Sequence, residues 1–210
     1  SNPTTHGTSS RLPRRLCLMR IVCLLSGSGT NLGALIEAQQ RRQLGNAKLV
    51  GVFSNVLDAH GLQRARDANI ATEALSHRAF STREDFDRAV IQRVSPWQPD
   101  LIVLAGFMRI MSPVFVAHYH GRLINIHPSL LPKYRGLDTH RRALEAGDTE
   151  AGATVHWVTE ELDGGDIIDQ IRVPIEPNDT VDRLRERVLQ AEHVLYPRVI
   201  RALSLSEKAS

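Results

Sequence analysis

The chain has 210 residues, 42% of them hydrophobic, and a formal net charge of +3. That length supports one core burying roughly 70% of the unfolded surface, and no run of ~18 or more uncharged apolar residues is present to span a bilayer as a helix. The positive balance does not make a nucleic-acid-binding surface, because Arg11, Arg14, Arg15 and Arg20 fall near the N-terminus with no acid among them, leaving the remainder close to neutral.

In chain order, SNPTTHGTSS is small, polar and without periodicity, so residues 1–18 read as a flexible extension or cloning remnant. Residues 19–210 read as a single domain, with Met19 a candidate natural start. The stretch RLPRRLCLMRIVCLL is basic and then apolar like a signal peptide, but Arg20 splits its apolar part and no small-residue cleavage site precedes SGSGTN. Cys17 and Cys23 are too few for a zinc site and too close around one strand for a loop-closing disulfide. A reducing, cytoplasmic location is expected.

A strand over 21–25 feeds SGSGTNL and then a helix with Leu32, Leu35 and Ile36 on one face, capped by Thr30 or Asn31. A strand over 49–54, a helix over 59–68 and a short extended piece at 72–75 follow. The spacing of Phe86, Val90, Ile91 and Val94 predicts a helix over 83–94, closed by Pro96 and Pro99 before a strand over 101–105. Ser112 and Pro113 open a short helix in the cap-then-proline manner, and a strand over 123–126 comes next. A helix over 139–146 leads to strands at 154–159 and 167–173, joined by EELDGGD, whose Asp163 and Gly164 suit a tight turn. A last helix over 180–200 carries Val181, Leu184, Val188, Leu189 and Leu195 as its apolar stripe. This alternation predicts an α/β fold: a Rossmann-like, open, mostly parallel twisted sheet with helices on both faces and an antiparallel C-terminal hairpin.

Three constellations carry chemistry. In SGSGTNL the glycines let backbone amides approach an anion at a helix N-terminus, which suits a phosphate. The dinucleotide fingerprint is not met, since Gly33 comes one residue late after Gly27 and Gly29 and the second strand ends at Asn55, not at an acid. In AGFMRIM, Gly106, Met108 and Arg109 follow a strand's carboxyl end, where open α/β sheets collect ligands. Met108 has a core residue's burial tendency, and Arg109 either grips a carboxylate or snorkels. In INIHP, Asn125 and His127 share one strand face about 6 to 7 Å apart, and Pro128 stops the strand as they emerge. Strand-end polar groups often only satisfy loose backbone, and Asp163 before Gly164 is first of all a turn residue. Set across a cleft from His127, its carboxylate would orient the imidazole and complete a proton-transfer and oxyanion-stabilising set.

SGSGTNL, FSN, AGFMRIMSP, GRLINIHPSLLPKYRGLDTHRRALEAGD, GATVHWVTEELDGGDII and AEHVLYP together closely resemble the folate-dependent glycinamide ribonucleotide (GAR) formyltransferases, in order from Met19 to Ile200. The resemblance implies transfer of a formyl group from 10-formyltetrahydrofolate, as co-substrate, to the primary amine of GAR in purine synthesis. It implies no metal, no nucleic-acid or membrane partner, no covalent enzyme intermediate, and a monomer or homodimer. Carried over by motif, Asn125, His127 and Asp163 are catalytic. Gly29, Thr30, Asn31, Gly106, Met108, Pro128 and Glu192 face GAR, the loop holding its phosphate and Glu192 its ribose hydroxyls. Arg83, Arg109, Ile110, Met111, Asn125, Glu160, Glu161, Leu162 and Asp163 face the folate. Asp138 and Arg135 depart from the family's more usual His or Asn and Pro or Lys. Methionyl-tRNA formyltransferases share the HPSLLP and LDGGD-like segments but differ in the first loop and typically carry a further C-terminal domain. Formyltetrahydrofolate deformylases share the Asn, His and Asp set, while the phosphate loop and Glu192 argue for the transferase. A non-catalytic nucleotide-binding module, and more weakly a dinucleotide-dependent dehydrogenase, are the readings outside this class.

Overall fold

The computed structural model describes residues 17–206, so the expected N-terminal extension lies largely outside the described residues. Seven strands form one sheet in the order β3-β2-β1-β4-β5-β6-β7. β1 (Met19–Leu25), β2 (Ala47–Ser54), β3 (Ala71–Ala74), β4 (Leu101–Leu104) and β5 (Leu123–His127) run parallel. β6 (Glu150–Trp157) pairs antiparallel with β5, and β7 (Ile167–Pro174) antiparallel with β6. The helices are α1 (Thr30–Gln40), α2 (His60–Asp67), α3 (Arg83–Val94), α4 (Pro113–His118), α5 (Thr139–Glu145) and α6 (Val181–Leu205).

Why β1 reads as an unbroken apolar run is visible in its packing. Side chains alternate between faces, and both faces are covered: Ile21, Cys23 and Leu25 pack in a core with Leu32 and Leu35 of α1, Leu62 of α2 and Leu195 of α6. Val22 and Leu24 belong to a second core with Phe86, Val90 and Val94 of α3 and Phe115 of α4. Strand order reverses between β1 and β4, and in such sheets the crevice beyond the strands' carboxyl ends at that point is where ligands bind. No helix among the described residues is long and apolar enough to cross a membrane.

The structure corrects four expectations. The N-cap of α1 is Gly29, in the left-handed region at φ 71°, with no side-chain cap from Thr30 or Asn31. β6 begins at Glu150, earlier than expected, because Ala151, Gly152 and Ala153 pair with Val173, Arg172 and Ile171; pairing overrides the weak strand preference of alanine and glycine. The β6–β7 connection is a loop over 158–166 with Asp163 at φ 51°, longer than a tight turn. Finally, α6 continues to Leu205 through Pro197, which removes one helix hydrogen bond without ending the helix, since Leu195, Tyr196, Val199 and Ile200 anchor the surrounding turns in the core.

Candidate active site

The first half of the site lies where β1 and β4 end. Ser26 N–H donates to the Gly106 carbonyl at 3.0 Å, and Met108 N–H donates to Ser26 Oγ at 2.8 Å. The loop after β4 is thereby tied to the glycine loop after β1. Met108 is 76% exposed, so its side chain belongs to the cleft rim and not to the core; the left-handed turn at Gly106 (φ 72°) lifts the chain off the sheet before it can pack.

Asn31, in the first turn of α1, donates through Nδ2 to Glu192 Oε1 of α6 at 3.2 Å. Both are buried, and the Tyr196 hydroxyl, one turn beyond Glu192, donates to the Leu104 carbonyl at 2.6 Å, which fixes α6 against the end of β4. Burial pushes the Glu192 carboxyl up to about 7, against the lowering effect of the Asn31 bond. A carboxyl raised this way in the folded state binds more protons there than in the unfolded chain, so its contribution falls as pH rises from its ordinary 4.5 through about 7. Glu192→Gln, neutral throughout, should therefore gain stability relative to the parent across that window, on the order of 3 kcal/mol. Denaturant unfolding at pH 5 and pH 8 checks this, and a difference independent of pH would contradict it.

The second half sits at the end of β5. Asn125 and His127 emerge on one face as their spacing requires, Asn125 half-buried and His127 buried. His127 Nε2 lies 2.8 Å from the Tyr134 carbonyl. A carbonyl only accepts, so Nε2 carries the proton, and Nδ1 is the basic edge of the neutral ring. Nδ1 faces Asp163 Oδ2 at 3.5 Å, and that oxygen accepts from Gly136 N–H at 2.9 Å. The Asp163 side chain is 7% exposed, which makes a carboxylate with one backbone donor and an imidazole at its edge.

His156 was not legible from the sequence as part of this set. It stands directly across from Asn125 in the β5–β6 register. Its Nδ1 donates to the Trp157 carbonyl at 2.9 Å, so Nε2 accepts from Asn125 Nδ2 at 3.4 Å. Burial lowers the His156 pKa, partly opposed by the Trp157 carbonyl and Asp163, and so favours this neutral acceptor. At 3.8 Å, its Nε2 contact with Asp163 Oδ1 is too long for a hydrogen bond and is no ion pair while the ring is neutral. One Asn125 N–H is thereby engaged, and the second is directed elsewhere. The signal that would have revealed His156 is the β5–β6 register, which periodicity alone does not supply.

The remaining expected positions are spread around the rim. Arg109 lies over the Phe86 ring, 5.2 Å from its centroid, and Phe86 is one turn from Arg83 at the start of α3. Both cations therefore belong to the α3 side of the cleft. Ile110 is exposed, and Met111 packs against the α3–α4 core. Glu160, Glu161 and Leu162 are exposed on the β6–β7 loop, immediately before Asp163. Arg135 pairs with Glu161, and Arg142 donates to the Arg135 and Leu137 carbonyls at 2.6 and 3.1 Å, so the segment before α5 is braced against the hairpin. Pro128 ends β5, and Ser129 N–H turns back to the His127 carbonyl at 2.9 Å. Asp138 takes the left-handed N-cap of α5 without a side-chain cap bond. Among the described residues no cluster of three or more His, Cys, Asp or Glu is arranged to hold a metal ion.

An amide, an imidazole and a carboxylate at the end of β5, one strand across from the glycine loop that follows β1, can polarise a carbonyl and carry a proton. Comparison with known proteins meets this chemistry. The phosphoribosylglycinamide formyltransferase of Escherichia coli (strain K12) is 54% identical over 182 residues, covering 87% of this chain and 85% of that protein. Glycinamide ribonucleotide transformylase 1 from Symbiobacterium toebii matches in structure with a TM-score of 0.87 at 39% identity, covering 93% of each chain. The phosphoribosylglycinamide formyltransferase of Coxiella burnetii matches with a TM-score of 0.84 at 49% identity, covering 89% of this chain and 87% of that one. The family profile described as "Formyl transferase" matches residues 19–200. Spanning both halves of the site from β1 into α6, that match means the chain belongs to the formyl transferase family.

Proposed function

We propose that this protein transfers the formyl group of 10-formyltetrahydrofolate to the primary amine of glycinamide ribonucleotide, a step of purine biosynthesis. The observation that carries the proposal is the placing of two half-sites at the carboxyl ends of β1 and β5, the parallel strands that flank β4. The Gly29–Thr30–Asn31 loop and Glu192 suit a phosphorylated ribose, and Asn125, His127 and Asp163 suit acyl-type chemistry.

In this reading the Gly29, Thr30 and Asn31 backbone holds the phosphate at the start of α1, and Glu192 accepts from the ribose hydroxyls. Gly106, Met108 and Pro128 border the amine arm. Arg83 and Arg109 take the glutamate carboxylates of the folate, while Ile110, Met111 and the Glu160 to Asp163 loop enclose its pterin. The amine attacks the formyl carbon, its nitrogen losing a proton as the new C–N bond forms; the bond to the folate nitrogen breaks and that nitrogen gains one. Asn125 donates its free N–H to the formyl oxygen, and protonated His127 donates from Nδ1, so both stabilise the charge that develops there. Asp163 stabilises the imidazolium and assists proton movement between the nitrogens through water. The nucleophile belongs to the substrate, so no activated serine or cysteine is required.

Absorbance-monitored deformylation of 10-formyltetrahydrofolate, with and without glycinamide ribonucleotide, tests the proposal. Turnover is expected only with the amine present. Rapid turnover without it would make the protein a hydrolase, and none in either case would make it a binding module.

A further inference from the structure

We propose that Arg64 of α2 is a positioning residue for the substrate phosphate, acting through the peptide that joins Ser28 to Gly29. This rests on the proposed function.

Arg64 Nε donates to the Ser28 carbonyl at 2.7 Å. In a planar trans peptide the carbonyl and the following N–H point in opposite directions. Tying the Ser28 carbonyl to α2 therefore turns the Gly29 N–H away from α2. The preceding peptide is set the same way, since the Gly27 carbonyl accepts from Gly61 N–H at 3.0 Å and the Ser28 N–H must point opposite. Two consecutive carbonyls are held on the α2 side, so two consecutive amides face away from it beside the N-terminus of α1. That is the arrangement of an anion-binding nest.

The contact requires unusual closeness between the loop and α2. A Cβ on Gly29 would lie 2.7 Å from Gly61 Cα, and one on Gly61 would lie 2.5 Å from the Leu25 side chain. Arg64 follows Gly61 by three residues, so both reach the loop from one face of α2. Its guanidinium also lies against the first turn of α1, where a Cβ on Gly33 would stand 3.3 Å from Nη1. The same side chain thus orients the backbone and adds a fixed positive charge next to the site. Arg64 is absent from the motif-based assignment because it reads as an ordinary surface residue of an amphipathic helix.

The test compares Arg64→Met and Arg64→Lys with the parent enzyme by steady-state kinetics, with inorganic phosphate as a competitive inhibitor against glycinamide ribonucleotide. Arg64→Met should raise the KM for glycinamide ribonucleotide and the Ki for phosphate together by about tenfold, the worth of one charge-assisted hydrogen bond. Both kcat and the KM for 10-formyltetrahydrofolate should stay within about twofold. Arg64→Lys, which keeps the charge and one donor, should recover part of the loss. An unchanged KM for glycinamide ribonucleotide, or an equal rise in both KM values from general loosening of the loop, would overturn the inference. Absence of formyl transfer by the parent enzyme would instead overturn the proposed function, and this inference with it.

Discussion

A His127→Ala variant is expected to fold, to bind both substrates, and to lose about 10² or more of its kcat, because removing one preorganised donor to a developing oxyanion typically costs that much. The structure separates this loss from a folding defect. The His127 ring makes one bond, from Nε2 to the Tyr134 carbonyl, and losing it costs roughly 1 kcal/mol of stability. β5 itself is held by β4 on one side and β6 on the other, through backbone pairing that alanine retains. Asn125→Ala should lose a similar factor for the same reason, with the added consequence that His156 Nε2 is left without a donor. Steady-state kinetics with a parallel thermal melt check both variants. A kcat within about threefold of the parent in either would remove that residue from the oxyanion site.

The second large effect is expected at Asp163. Asp163→Asn keeps the shape of the side chain and an oxygen able to accept from Gly136 N–H, but it removes the negative charge facing His127 Nδ1. Without that charge the imidazolium loses its stabilising partner, and an amide nitrogen turned toward the ring would donate to Nδ1 and hold the ring neutral, opposing the protonation the oxyanion needs. Substitutions of this kind at a carboxylate behind a catalytic histidine cost on the order of 10³ or more in kcat. Single-turnover measurements at saturating substrate report the chemical step directly. A loss smaller than about tenfold would make the carboxylate a loop anchor, its bond to Gly136 serving structure alone.

How much of this was legible beforehand differs from element to element. The helix over 83–94 and the strand carrying Asn125 and His127 follow from local spacing and local punctuation, and the chain adopts both as read. Caps and boundaries were less visible. The glycine cap of α1 depends on how closely α2 approaches, and the early start of β6 depends on β7 lying beside it. The site followed the same rule. The Asn125–His127 pair is a property of one strand, but the Tyr134 carbonyl, Gly136 N–H and His156 meet it only through the turn before α5 and the β5–β6 register. Met108 departs from its residue-type tendency to burial because the left-handed glycine two residues before it redirects the chain outward, which agrees with its place on the cleft rim.

The three proposed catalytic groups do not share one mechanical fate. Asn125 and His127 stand on a strand flanked on both sides, whereas Asp163 sits on a loop leading into β7, an edge strand with a single neighbour and mostly half-buried or exposed residues. Segments of that kind open locally at far lower free energy than an interior strand. A brief detachment of that loop with β7 would withdraw the carboxylate and leave the amide, the imidazole and the glycine loop after β1 in place. In this molecule, then, competence and foldedness are distinct quantities: the complete catalytic set depends on the β6–β7 loop staying docked, a condition separate from the folding of the interior strands.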